Sequence, residues 1–187
     1  MAATITVETG AGLTNSNSYV TLAEANTYFD THPQASGWTG LASDDIRNRY
    51  LITAARVLDA CFQFNGFKAV ANQAMQWPRE GAVDRDGGDS GIRVPGSNTP
   101  SGYFDSDSVP QGIKDAQCEM ARFLVAGTRM DDAPGTGIKE FELPGAIRVA
   151  FETGKLQQIC PEFVVNMLRR FGTFLNSRSG CVSLGRA

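Results

Sequence analysis

A few short stretches of the 187-residue chain hold residue types that could do chemistry. Gly88-Asp89-Ser90-Gly91 has the form of a serine-protease nucleophile loop, which needs a histidine base oriented by a carboxylate. The one histidine, His32, stands just before Pro33 at a predicted helix end, the place of a surface or capping imidazole. Asp84, Asp86 and Asp89 beside Gly87 and Gly88 suggest a calcium loop, because hard cations want clustered carboxylate oxygens. The register fails: Asp89 stands where the EF-hand needs its glycine, and Pro95 where it needs its terminal glutamate. Trp77-Pro78-Arg79 is the one tight pairing of an aromatic ring with a cation, the combination that stacks and holds single-stranded nucleic acid. A tryptophan plugging the core, with Arg79 reaching solvent or an acid, is the preferred reading. Arg169-Arg170 reads as the wet face of a last helix, or as half of a salt bridge to another protein.

No P-loop, G-x-G-x-x-G, H-E-x-x-H or G-x-S-x-G occurs. Cys61, Cys118, Cys160 and Cys181 form no C-x-x-C pair, and Cys61 and Cys118 fall on apolar helical faces, so buried thiols are expected rather than disulfides or zinc ligands. The expectation is a protein that is not an enzyme and has no cofactor or metal.

Hydrophobic residues at 42% and charged residues at 20% are ordinary globular usage, and the length suits one domain with a buried core. No apolar run approaches the roughly 20 residues of a membrane-spanning helix, and the first residues lack the basic start and apolar block of a secretory signal. The net charge is -3, with an uneven distribution. Residues 1–46 hold no Lys or Arg but carry Glu8, Glu24, Asp30, Asp44 and Asp45, whereas after Pro161 the residues Arg169, Arg170, Arg178 and Arg186 face a single acid, Glu162. One end could attract the other, or each could attract a different partner.

The elements that must position these residues read as mainly α: a small helical bundle with a β-hairpin, an extended N-terminal arm and a flexible C-terminal tail. Residues 1–17 alternate and then turn polar, which predicts the arm. Residues 18–130 predict the helical core. Thr21 and Glu24 make a capping box before a helix with Leu22, Ala25, Tyr28 and Phe29 on one face. Ser43-Asp44-Asp45 starts a second, carrying Leu51, Ala54, Ala55, Leu58, Cys61 and Phe62 and ending at Gly66. Residues 80–109, dense in Gly, Asp, Ser and Pro, predict a long loop of the functional or mobile kind. Pro110 opens a third helix with Ile113, Ala116, Met120, Phe123 and Leu124 as its apolar stripe. Within residues 131–160, two strand-like segments flank Pro144-Gly145 and predict the hairpin. Residues 161–187 predict a fourth helix, with Val164, Met167, Leu168, Phe171 and Leu175 on one side, and the tail.

An ordered set of residues then looks familiar: Ser18-Tyr19-Val20, Leu22, Glu24-Ala25, Tyr28-Phe29, Trp38, Ala54, Leu58-Asp59, Gln73 with Trp77-Pro78-Arg79, and Pro110, Ile113-Lys114, Ala116, Glu119 and Ala121. The set resembles the head-tail adaptor (head completion, or connector) proteins of tailed bacteriophages, some of which carry a DnaT-like label. The resemblance covers about Ser18 to Leu168 and centres on Gln-x-x-x-Trp-Pro-Arg, with Tyr19, Tyr28, Trp77, Pro78 and Arg79 as its motif residues. It implies a virion structural protein of the neck: a dodecameric ring bound to the portal protein and a tail protein, with genomic DNA passing through its channel. On that reading Arg169, Arg170, Arg178 and Arg186 are the candidate portal contacts, and the 80–109 loop faces the tail or the channel. The alternative is a single-stranded-DNA-binding replication protein, DnaT-like, which predicts salt-dependent affinity for oligonucleotides and its loss on Trp77→Ala or Arg79→Ala. The low basic content counts against that alternative.

Overall fold

The computed structural model describes residues 3–84, 102–127, 140–143, 147–150 and 160–175. Its described part is mainly helical, with small antiparallel strand pairs. Helix α1, Leu22–Asp30, begins at the expected capping box: the Thr21 hydroxyl accepts from the Glu24 N–H, and the Glu24 carboxylate accepts from the Thr21 N–H. The short α2, Ser36–Thr39, was not foreseen; it exists to seat Trp38, which is 1% exposed. Helix α3, Asp44–Cys61, starts at Ser43, whose hydroxyl accepts from Ile46 N–H. It buries Leu51, Ala54, Ala55, Val57 and Leu58.

The second helix was expected to run through Phe62 to Gly66. It stops at Cys61, and Phe62 turns extended to open β1, Phe62–Phe64. Both phenylalanines face the core while Gln63 faces out, a period of two that three residues cannot announce in a sequence. The partner of β1 is β6, Gly172–Phe174, antiparallel with Phe62 opposite Phe174. That pairing also corrects the fourth helix. α5 is Glu162–Leu168 only, and Phe171 enters the core from the turn after it. Gly172 permits the close approach, since a Cβ there would sit 2.4 Å from the Gln63 carbonyl oxygen.

Helix α4, Gln111–Val125, is the central element, packed against α1, α2, α3 and α5. Ile113, Ala116, Met120 and Leu124 are buried as the stripe predicts, but so are Gln117 and Glu119. Gln117 is satisfied on all sides: its Oε1 accepts from Tyr19 N–H at 2.8 Å, and its Nε2 donates to Ser18 Oγ at 2.8 Å and to the Leu51 carbonyl at 2.9 Å. Short strands β2, Phe67–Lys68, and β3, Arg79–Glu80, pair antiparallel. The hairpin around Pro144-Gly145 forms as β4, Glu140–Leu143, and β5, Ile147–Ala150, with Leu143 opposite Ile147.

The N-terminal segment is not a projecting arm. Glu8 is fully buried, and its carboxylate accepts from the N–H groups of Gly10, Gly12 and Leu13 and from Ser16 Oγ at 2.8–3.0 Å. Val7 bridges to Ser18, and Ala3 is held by Asp45 and Asn48 of α3. Gly10, at φ +108°, lies against the Asp107 backbone, where any Cβ would collide with the carbonyl oxygen. A buried carboxylate satisfied by local backbone N–H groups makes the segment part of the body, which is why its polar composition misled. The tail from 176, Cys181 and most of the 80–109 loop lie outside the described residues.

Candidate nucleic-acid interface

The central motif turns out to be structural. Trp77 is fully buried, with Phe64, Phe104 and Phe171 edge-on to it at 6.2, 5.8 and 6.0 Å. It follows a loop pinned by Gln73, whose Nε2 donates to the carbonyls of Met75 and Pro78 at 2.8 and 3.0 Å. The Trp77–Pro78 bond is cis. Arg79 does not point to solvent or an acid: it is 8% exposed, and its guanidinium donates to the carbonyls of Asn65 and Gly66 at 2.7 Å each and to that of Gln76 at 3.1 Å. Burial draws its pKa down, with Tyr19 and Asp59 acting in the opposite sense. Four of the five N–H donors of this arginine are thus spent on the β1–β2 turn and on Gln76, and its burial keeps the guanidinium from lying along a phosphate backbone.

Tyr19 and Asp59 support the same corner. The Tyr19 hydroxyl accepts from the N–H groups of Gln76 and Trp77 at 3.1 and 3.3 Å. Asp59 Oδ2 also accepts from Gln76 N–H at 3.1 Å. Burial pushes the Asp59 carboxyl up to about 6 against the hydrogen bonds that favour its charge, and pushes the Tyr19 phenol well above its ordinary value. Tyr28 serves a second buried site. Its hydroxyl donates to Glu119 Oε1 at 2.8 Å, His32 Nε2 meets the same oxygen at 3.0 Å, and Arg122 closes on Oε2 at 2.8–2.9 Å. His32, with its side chain 19% exposed, accepts Gln34 N–H on Nδ1 at 3.1 Å just past α1, the capping place expected of it, while its Nε2 reaches inward to the buried carboxylate; burial raises the Tyr28 phenol.

Outside this scaffold, three side chains leave apolar surface in water around the stem of the 80–109 loop. Phe67 is 75% exposed on β2 and lies over Gly81. Val83 at 47% and Tyr103 at 44% face each other across an antiparallel bridge that closes the loop's mouth. Arg170 joins them: its guanidinium lies 5.3 Å from the ring centres of Phe104 and Phe171 and donates to Asp84 at 2.8 Å. Arg169 is exposed beside it at the end of α5, and Lys68 on β2 donates to the Gln73 carbonyl at 3.2 Å. Exposed rings flanked by cations on rigid strand stems are what base stacking and phosphate neutralisation require. No motif marked Phe67 or Tyr103 in the sequence, because each stands alone and only the folding of the stem shows it in solvent. Arg178, Arg186 and the Gly88–Gly91 and Asp86–Asp89 stretches lie outside the described residues. Among the described residues no group of three or more His, Cys, Asp or Glu could hold a metal, and no helix is long and apolar enough to cross a membrane. Cys61, Cys118 and Cys160 are free thiols, and burial raises Cys118 and Cys160 to about 12.

Residues 3–187 match the family described as "Putative DnaT-like ssDNA binding protein", and the chain belongs to it. No curated protein and no solved structure matches. This overturns the head-tail adaptor reading, and with it the dodecameric ring, the portal and tail partners, the passive DNA channel and the place in the virion neck. The ordered set that suggested that family, as far as it lies among the described residues, consists largely of core and corner residues such as Tyr19, Trp77 and Ala116, which report a fold and not a partner. The low net charge also misled: all 17 Lys and Arg follow residue 46, while five of the 20 acids precede it, so the average hides a basic remainder.

Proposed function

We propose that this protein binds single-stranded DNA without transforming it, as a DnaT-like protein of DNA replication acting in the cytoplasm. Membership of the family over residues 3–187 is the observation that carries the reading. The stem surface of Phe67, Val83, Tyr103, Arg169 and Arg170 is its site, because it offers rings for stacking beside cations for phosphate. Trp77 and Arg79 are not its contacts: both are committed to the corner described above.

Fluorescence anisotropy with a labelled oligothymidylate of about 20 nucleotides tests this. Saturable binding is expected, with affinity falling steeply between about 50 and about 200 mM salt and with weaker binding to duplex. Absence of binding at the lower salt, or affinity indifferent to salt, rejects it.

A further inference from the structure

Two arginines follow one another at the end of α5, and the fold treats them differently. Arg169 is exposed, and its side chain makes no hydrogen bond or ion pair among the described residues. Arg170 is 45% exposed, lies against the rings of Phe104 and Phe171, and donates to Asp84 Oδ1 at 2.8 Å across 86 positions of sequence. The rings hold the cation at the edge of the aromatic surface, because a guanidinium lies well on aromatic faces.

Asp84 is just as firmly placed. Its N–H donates to the Gly102 carbonyl at 2.8 Å, and Phe104 N–H donates to the Ala82 carbonyl at 2.9 Å, so the bridge that sets Val83 against Tyr103 also carries Asp84. Its carboxylate therefore meets the cation that a nucleotide stacked on Tyr103 would offer its phosphate. A carboxylate and a phosphodiester present a guanidinium with the same thing, a pair of anionic oxygens at hydrogen-bond distance. The pair is partly exposed, and water weakens such pairs enough for another anion to take the acid's place. The stem is closed by backbone hydrogen bonds and does not depend on the pair for its shape.

We propose that Asp84 is an internal phosphate mimic, which occupies Arg170 in the free protein and must be displaced by a phosphate of the incoming strand. The acid thereby holds the affinity of the surface below what its rings and cations would give. This rests on single-stranded DNA binding at the stem, and the experiment separates the two. Oligothymidylate anisotropy is compared for the wild type, Asp84→Asn and Glu80→Gln. Glu80 is exposed on β3 opposite Phe67, so its variant removes the same charge from the same stem without releasing an arginine. Asp84→Asn is expected to bind about three- to five-fold tighter, the range that loss of an exposed ion pair supplies. Glu80→Gln is expected to gain less than about two-fold, since salt screens its charge. An affinity of Asp84→Asn equal to or below that of the wild type would make the carboxylate a support for Arg170 and overturn the proposal. An equal gain in Glu80→Gln would reduce the effect to net charge and overturn it too. Oligothymidylate ignored by all three proteins alike rejects DNA binding itself.

Discussion

The Tyr19 hydroxyl donates to Asp59 Oδ1 at 2.5 Å, joining the segment that leads into α1 to the last turn of α3 across 40 positions of sequence. Both then hold the backbone of Gln76, so the Trp77-Pro78-Arg79 corner is supported from two elements at once. The support sets a pH dependence. The Asp59 carboxyl, at about 6, lies above its ordinary 3.8, so the folded state binds this proton more tightly than the unfolded chain does. Its contribution to stability is therefore fully present below pH 4 and lost as pH rises through about 6, on the order of 2–3 kcal/mol. Glu24 and Asp45 act oppositely, since both are lowered and lose stabilisation in acid. Urea unfolding of wild type and Asp59→Asn isolates the group: the wild type's advantage is expected to grow from pH 7 to pH 4.5. An advantage that is constant across that range contradicts the assignment.

Stacking residues and core residues are expected to separate cleanly. Tyr103→Ala and Phe67→Ala should each weaken oligothymidylate binding by about 1–3 kcal/mol while shifting stability by less than about 0.5 kcal/mol. Parallel anisotropy and thermal melts check this, and unchanged affinity in the double variant places the DNA elsewhere.

Trp77 gives the converse case. Truncating it to Ala removes a ring enclosed by Phe64, Phe104 and Phe171, with an expected cost of about 3–5 kcal/mol. Trp77→Phe keeps most of the packing, and its folded fraction should bind oligonucleotide as the wild type does. Selective loss of affinity in Trp77→Phe at full folding would mean the indole is reached by DNA.

Glu119 concentrates four donors on one buried carboxylate. Glu119→Gln leaves Arg122 facing an amide in place of a charge, and about 3 kcal/mol of destabilisation is expected, read as a lowered thermal midpoint. A melt unchanged within a degree or so would show that Arg122 and Tyr28 find other partners.

Much of the helical frame was legible because caps and periodicity are local. Thr21 with Glu24, Ser43 before α3, Pro110 before α4 and the hairpin around Pro144-Gly145 all stand where the sequence put them. The failures are tertiary. Phe62 and Phe171 fall at helical spacing yet belong to strand pairing and a turn, because two- and three-residue strands carry no period of their own. The burial of Glu8 and Glu119 has no local signal, since nothing near them in sequence shows that backbone N–H groups in one case and Tyr28, His32 and Arg122 in the other would converge on them. The candidate site was least visible: the cluster that looked able to bind, Trp77 with Arg79, is sealed, while Phe67 and Tyr103 are unremarkable in sequence and exposed only by the shape of their stem.

Gly10 touches the Asp107 backbone, four residues past Tyr103 in the turn that leads from the stem to α4. The opening residues of the chain thus brace the foot of the loop that presents the aromatic surface. Removing residues 3–12 is for that reason expected to reach beyond the N-terminal segment: it would take away the brace at Asp107, and a lowered oligothymidylate affinity of the shortened protein, read by anisotropy, would show the stem slackened from a distance with every proposed contact residue unchanged.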